Sequence, residues 1–257
     1  MKELLRKIIY RSDFLFYLVN RVFRRPSYPS LDHFLLKYAL SRREVRFVQI
    51  GANDGLNNDP IYKYVRMFRW HGKLIEPQPD VFKQLKRNYF DNRNLIFLNV
   101  AVGSSEHQIK IYRFSFSQSR WLNGWATFDK EKLKEVFDNS EYLRNRAAKE
   151  DIQIPHNFDE AVEELNVPVL SFEEVLDSWK TIDILVLDVE GYEFHLFQEI
   201  DFKKYSIELI LFEHRHMDSE TQRLVESLLM TNGYEIIRFE HDSIAITRNH
   251  DLILYGK

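Results

Sequence analysis

Three short polar clusters interrupt otherwise apolar stretches of this chain. They are Gly51-Ala52-Asn53-Asp54-Gly55, with a lone carboxylate following at Glu76; Asp188-Val189-Glu190-Gly191-Tyr192-Glu193; and Glu213-His214-Arg215-His216. The glycines of the first cluster permit positive φ and close approach of a ligand to the main chain. An acid about twenty residues beyond such a turn can accept hydrogen bonds from a ribose diol. A pyrophosphate would need G-x-G-x-x-G and unobstructed amides at a helix N-terminus. Here the third glycine is missing and Asp54 lies inside the bend. That acid would repel phosphate and suits a cationic ligand, such as the ammonium and sulfonium of S-adenosylmethionine. Taken alone, the turn has a plainer account: Gly, Asn and Asp are also what an ordinary Asx-rich turn selects.

The second and third clusters offer proton transfer or metal binding. Neutral His214 or His216 could take a hydroxyl proton, because histidine titrates near physiological pH. Alternatively, Asp188, Glu190 and Glu213 could hold a divalent cation, Mg2+ or Mn2+, that acidifies the hydroxyl. Asp188 and Glu190 would point to one side if extended geometry continued through them. The metal-free route ranks first. Carboxylates after a buried strand also act as helix caps and dipole partners, and a strand-end histidine often only packs. The coincidence of three such strand ends is what favours a site.

The elements that would position these clusters read as strands separated by helices. Phe47–Ile50, Lys73–Ile75, Leu95–Gly103, Ile182–Leu187 and Glu208–Phe212 are β-prone runs, and most end on a polar cluster. Helical spacing lies between them, at Pro79–Tyr89, Tyr192–Gln198 and Ser219–Thr231, and Ser171 with Glu174 spells a capping box. A short helix over Leu31–Ser41 precedes the first strand. Gln108–Phe114 alternates as a further strand, expected to form a hairpin with Leu95–Gly103 because the joint is short. Tyr234–Phe239 and Ser243–Thr247 make an antiparallel hairpin, and Leu252–Tyr255 is a candidate edge segment. Parallel strands deliver their carboxyl ends to one edge, so the three clusters are expected around one crevice.

We expect an N-terminal helical extension over 1–42 and one domain over 43–257 with an insertion at about 115–166. Within it, Lys130–Lys149 reads as helical. Trp121 and Trp125, four apart and beside Arg120, would share a helix face that could stack on a sugar ring; anchoring the insertion is the other account. Residues Met1–Arg25 read as amphipathic basic helices, with no run long enough to span a bilayer. A cap or subunit contact is the first expectation, and peripheral contact with an anionic membrane the second.

Composition narrows the function. Across 257 residues, 36 Lys and Arg face 39 Asp and Glu, a net charge of -3, so no global field holds a nucleic acid. Cysteine is absent, which removes disulfides, thiolate metal sites and a thiol nucleophile, and fits a reducing compartment; we expect the cytoplasm.

The segments FVQIGANDG, LIEPQPDVFKQL, NVAVGS, IDILVLDVEGYE and ELILFEHR, in this order, resemble the FkbM family of S-adenosylmethionine-dependent methyltransferases from Arg46 onward, outside 115–166. The resemblance implies an α/β, Rossmann-like class I fold with a mostly parallel seven-stranded sheet. It implies that Gly51, Asn53, Asp54 and Gly55 hold the methionine part, Glu76 the ribose, and Asn99, Ala101 and Val102 the adenine. It also implies O-methylation of a sugar, glycan or nucleotide-sugar hydroxyl; Arg120, Trp121 and Trp125, which lie outside the resemblance, are expected at the acceptor from their own chemistry. Family members commonly carry a lysine two residues before the motif aspartate; here that position is Val186, so no role carries over. N-methylation of an amine or protein side chain is the second enzymatic expectation. An inactive interaction module is the non-enzymatic one.

Overall fold

The computed structural model describes residues 30–103, 107–117, 119–189, 191–215 and 217–248. The expected helices of Met1–Arg25 and the edge segment Leu252–Tyr255 lie outside them. Helix α1 (Leu31–Ser41) starts where Ser30 accepts a hydrogen bond from the His33 amide. It leads into β1 (Arg46–Ile50), then α2 (Tyr62–Phe68), β2 (His71–Ile75), α3 (Pro79–Asn88) and β3 (Leu95–Leu98). All three strands run parallel. The chain then passes through β4 (Ala101–Val102), β5 (Gln108–Phe114), α4 (Arg120–Asn123), α5 (Lys130–Asn139), α6 (Glu141–Lys149), α7 (Phe158–Ala161) and β6 (Val162–Leu170). It returns to the body by α8 (Phe172–Leu176), β7 (Thr181–Leu187), α9 (Glu193–Glu199), β8 (Ser206–Glu213), α10 (Ser219–Thr231), β9 (Tyr234–Arg238) and β10 (Asp242–Thr247).

Seven strands form one sheet in the order β3-β2-β1-β7-β8-β10-β9, parallel except where β10 pairs antiparallel with β8 and β9. The chain reverses direction across the sheet between β1 and β7, and there a doubly wound sheet leaves room for a ligand. Central strands carry apolar side chains on both faces. Phe47, Leu74, Val186 and Leu211 pack against α1, α2 and α3, whereas Val48, Ile50, Leu185 and Phe212 pack against α8, α9 and α10. Burial on two faces explains why these strands read as continuous apolar runs rather than alternating ones. The charge inside β2 is satisfied locally: Lys73 Nζ donates to the carbonyls of Val175 and Leu176 at the end of α8.

Leu95–Gly103 is not one strand. After Leu98 the chain breaks away, and Ala101–Val102 pairs with Val169–Leu170 in a second, three-stranded sheet, β4-β6-β5. The break is held by Asn99, whose side-chain amide donates to the carbonyls of Glu76 and Pro77. Gln108–Phe114 correspondingly forms no hairpin with β3; it pairs antiparallel with all of Val162–Pro168. Lys130–Lys149 is two helices rather than one, divided at Ser140, whose hydroxyl accepts from the Leu143 amide and starts the second. These elements share small cores of their own, centred on Phe114, Leu122, Leu133 and Leu143 and on Ala101, Ile111 and Val167. They form a cap over the carboxyl edge of the main sheet. Among the described residues no helix is long and apolar enough to cross a membrane.

Candidate functional site

Two adjoining clefts open beyond the strand ends. The first, about 670 Å3, lies between the main sheet and the cap and is lined by Gly51, Asn53, Ile75, Glu76, Gln78, Val100, Ala101, Val102, Phe128, Asp188 and Tyr192. Gly51 is at φ +81, and a Cβ there would lie 1.8 Å from the Asp188 carbonyl oxygen, so only glycine lets β1 and β7 end so close together. Glu76, at the end of β2, accepts from the amides of Asn53 (3.0 Å) and Gln78 (2.8 Å). Burial nevertheless pushes its pKa up to about 7, the two amides opposing the shift. Beside this carboxylate the wall is apolar, formed by Ile75, Val100, Val102 and Phe128, a slot suited to a flat heterocycle.

The second cleft, about 1410 Å3, is polar and lies beyond β1, β7 and β8. It collects Asp59, Asp188, Glu213 and Asp242 with Arg215 and His241, and Trp121 and Tyr142 line it from the cap. Trp121 meets Tyr142 edge-on with ring centroids 6.4 Å apart, and its Nε1 donates to Glu150 at 3.0 Å, which fixes the indole. Asp188 lines both clefts, and it is the ionisable side chain they share among the described residues. Its carboxylate is reached by solvent through the clefts but is ringed by protein. Desolvation there, followed by repulsion from Glu213, Glu193, Asp242 and Asp59, pushes its pKa up to about 8.

Several expected ligand groups stand elsewhere. Asp54 is buried with its carboxylate turned into its own loop, where it accepts from the Leu56 and Asn57 amides and from the Asn57 side chain. It lines neither cleft, so the acid facing the first cleft from this edge is Asp188. Gly55, at φ +63, also lines neither; a Cβ there would collide with Leu85 and Tyr89, so the glycine serves packing. Asn99 braces the Glu76 loop rather than facing the cleft, whereas Ala101 and Val102 do face it. His214 points to β10, its Nδ1 3.0 Å from the Ser243 hydroxyl, and burial lowers its pKa; it lines neither cleft. Glu193 accepts from the Val189 amide and braces the turn after β7. Helix α4 ends before Trp125, so the two indoles do not share a helix face, and Trp125 packs into the cap core. Glu190, His216 and the side chain of Arg120 lie outside the described residues. Among the described residues no three of His, Cys, Asp and Glu gather closely enough to hold a metal ion.

Sequence reading missed Asp59, Gln78, Tyr142, Tyr192 and His241. Asp59 had a signal, since it closes the same polar loop as Gly51 and accepts from the Ile61 and Tyr62 amides as α2 begins. His241 sits in the hairpin turn and Asp242 opens β10, and only the β8–β10 register, which sets Asp242 opposite Glu213, brings them to the cleft.

A family model described as "Methyltransferase FkbM domain" matches residues 49–242. A solved methyltransferase FkbM from Methylobacillus flagellatus KT is similar at 13% identity and TM-score 0.48, over 92% of this chain and 50% of that one. A precorrin-6y C5,15-methyltransferase from Geobacter metallireducens GS-15 matches at 11% identity and TM-score 0.42, covering 87% and 94% of the two chains. Fibrillarin of Aeropyrum pernix, solved with natively bound S-adenosyl-L-methionine, matches at 12% and TM-score 0.38, covering 92% and 74%. No curated protein sequence matches.

Proposed function

Since the chain belongs to the FkbM methyltransferase family and has the Rossmann-like class I fold, we propose that this S-adenosylmethionine-dependent enzyme methylates a hydroxyl of a sugar or glycan, with Asp188 as its base. The observation that carries the assignment of the base is the position of Asp188 in the wall common to both clefts.

The residues of the first cleft fit the cofactor. Glu76 offers acceptor oxygens to a ribose diol, the slot between Ile75, Val100, Val102 and Phe128 takes adenine, and Gly51, Asn53 and Asp188 line the remaining wall. S-adenosylmethionine supplies, when bound, a methyl group on a sulfonium. Methyl transfer then demands alignment of the acceptor hydroxyl and removal of its proton. Asp188, ionised, accepts that proton from the second cleft. Trp121 and Tyr142 offer flat faces to the C–H side of a sugar ring, and the carboxylates beside them accept from ring hydroxyls. The cap supplies part of the first cleft's wall through Asn123, Ala126 and Phe128.

N-methylation of an amine is the second reading, favoured by the acidic lining of the second cleft. Calorimetry with S-adenosylhomocysteine tests the cofactor half; micromolar binding is expected, and none to folded protein sinks the proposal. Labelled methyl donor with a panel of glycans, amines and proteins tests the acceptor half, and label on nitrogen would favour the second reading.

A further inference from the structure

One stretch of the cap borders both clefts. Asn123, Gly124, Ala126 and Phe128 line the first, and Trp121, with Gly124 again, lines the second. Trp121 and Asn123 sit in the single turn of α4, and Leu122 between them is buried in the cap core, so a shift of one carries the other with it. On the cofactor side this stretch is held to the body by the buried side chain of Gln78, whose Nε2 donates to the Asn123 carbonyl at 3.2 Å, and by Phe128, which meets Tyr192 edge-on with ring centroids 5.2 Å apart. Gln78 is joined in turn to the ribose acid, its amide donating to Glu76 at 2.8 Å. On the acceptor side Trp121 is tied to α6. Its Nε1 donates to Glu150, which also accepts from Ser119 and Arg146, and its ring meets Tyr142, the α6 residue that reaches the second cleft. Trp121 and Tyr142 do not line the first cleft, so what happens there reaches them only through the stretch itself.

We infer that Gln78 is a positioning residue for the acceptor: with S-adenosylmethionine in the first cleft it holds α4 to the body, and through α4 it fixes the Trp121–Tyr142 wall against which the acceptor is seated. This deepens the methyltransferase reading and rests on it. A cofactor between Ile75, Val102 and Phe128 adds packing to the body-facing side of the stretch, so the cost of ordering the aromatic wall is met before the acceptor arrives. The two ligands then bind cooperatively, with the same coupling in both directions. The test uses the full chain with and without saturating S-adenosylhomocysteine, read by amide hydrogen exchange and by 19F NMR of 5-fluorotryptophan protein, the Trp121 resonance being assigned with Trp121→Phe. The ligand is expected to slow exchange in α6 at least about tenfold more than in α10, which lines neither cleft, and to shift or sharpen the Trp121 resonance while that of Trp179 stays in place. Gln78→Met keeps the amide to Glu76 and most of the side-chain volume, and Arg113 retains Asp80 and Glu163. In that variant, at saturating S-adenosylhomocysteine, both responses should be lost. Equal slowing in α6 and α10, a Trp121 resonance unmoved by the ligand, or responses that survive Gln78→Met overturn the inference while leaving the cofactor reading intact. Should the variant fail to fold, the comparison within the parent protein decides alone. Failure of S-adenosylhomocysteine itself to bind takes down both.

Discussion

A carboxylate serves as a base only if it is ionised when the acceptor arrives, and the surroundings of Asp188 work against that in the ligand-free protein. Desolvation and neighbouring acids set its pKa near 8, so kcat/KM should rise with pH through that region, where the free enzyme loses the proton. Asp188→Asn should lower kcat/KM by about 10²–10⁴-fold and abolish the rising limb, with S-adenosylhomocysteine binding within a few-fold of the parent. A loss of activity that leaves the limb in place would assign the base to another group. Glu76→Gln exchanges an acceptor-only group for one that must also donate; it should weaken the cofactor about ten- to hundredfold in calorimetry, the scale of a hydrogen bond to a charged group. At this scale the sequence revealed which residue types gather at the edge, and it failed on direction. Glu76 and Asp188 end buried strands, so their positions follow from the strands themselves. Asp54 lies inside a loop that uses up its oxygens in Asx-type bonds, and no spacing rule shows which way such a side chain turns. His214 follows the final residue of β8, and the ladder to β10 turns it toward Ser243 rather than toward the clefts.

The elements of the main sheet were legible because burial on two faces writes apolar runs, and the helices between them carry ordinary stop and start signals. The cap was not, because the register of a small sheet depends on partners far along the chain. β5 pairs with β6 across more than forty intervening residues, and the joint to β3 looked short enough for a hairpin only while that partner was unknown. One side chain ties this cap to the cofactor loop. Arg113 on β5 donates to Gln78 (3.2 Å), Asp80 (2.6 Å) and Glu163 (2.7 Å), and Gln78 in turn donates to the Asn123 carbonyl. Arg113→Ala would leave the buried Gln78 oxygen without its donor, a cost of about 1–3 kcal/mol, while the half-exposed carboxylates of Asp80 and Glu163 turn to water. Because Gln78 lines the first cleft, the variant should also raise the S-adenosylhomocysteine dissociation constant and speed amide exchange in β5 and β6 more than in β1 and β7. Uniform acceleration across both sheets would show the contact to be general stabilisation rather than a latch.

For the whole molecule the unusual quantity is the number of acids held above their ordinary range around one edge. Glu76 moves from 4.5 to about 7 and Asp188 from 3.8 to about 8, with Asp59, Glu193, Glu213 and Asp242 raised in the same direction. A raised carboxyl binds its proton more tightly folded than unfolded. Its contribution is fully present below the unfolded pKa and is lost as pH rises through the folded one, so the slope of stability against pH is negative between about 4.5 and 8. Surface acids such as Glu173, held low by Lys204, and Asp218, held low by the Thr221 amide, act in the opposite sense below their unfolded values, and only weakly because they are exposed. The ligand-free protein should therefore be most stable in mildly acid solution, its melting temperature falling on the order of 5 °C toward pH 8. Donors from a ribose diol favour ionised Glu76, so saturating S-adenosylhomocysteine should raise the melting temperature at every pH and flatten the fall. Glu76→Gln should flatten it without ligand, because the titrating group is gone. A slope untouched by both the ligand and the substitution would mean that the proton uptake lies away from the cofactor cleft, and Glu76 would lose its place as the ribose acceptor.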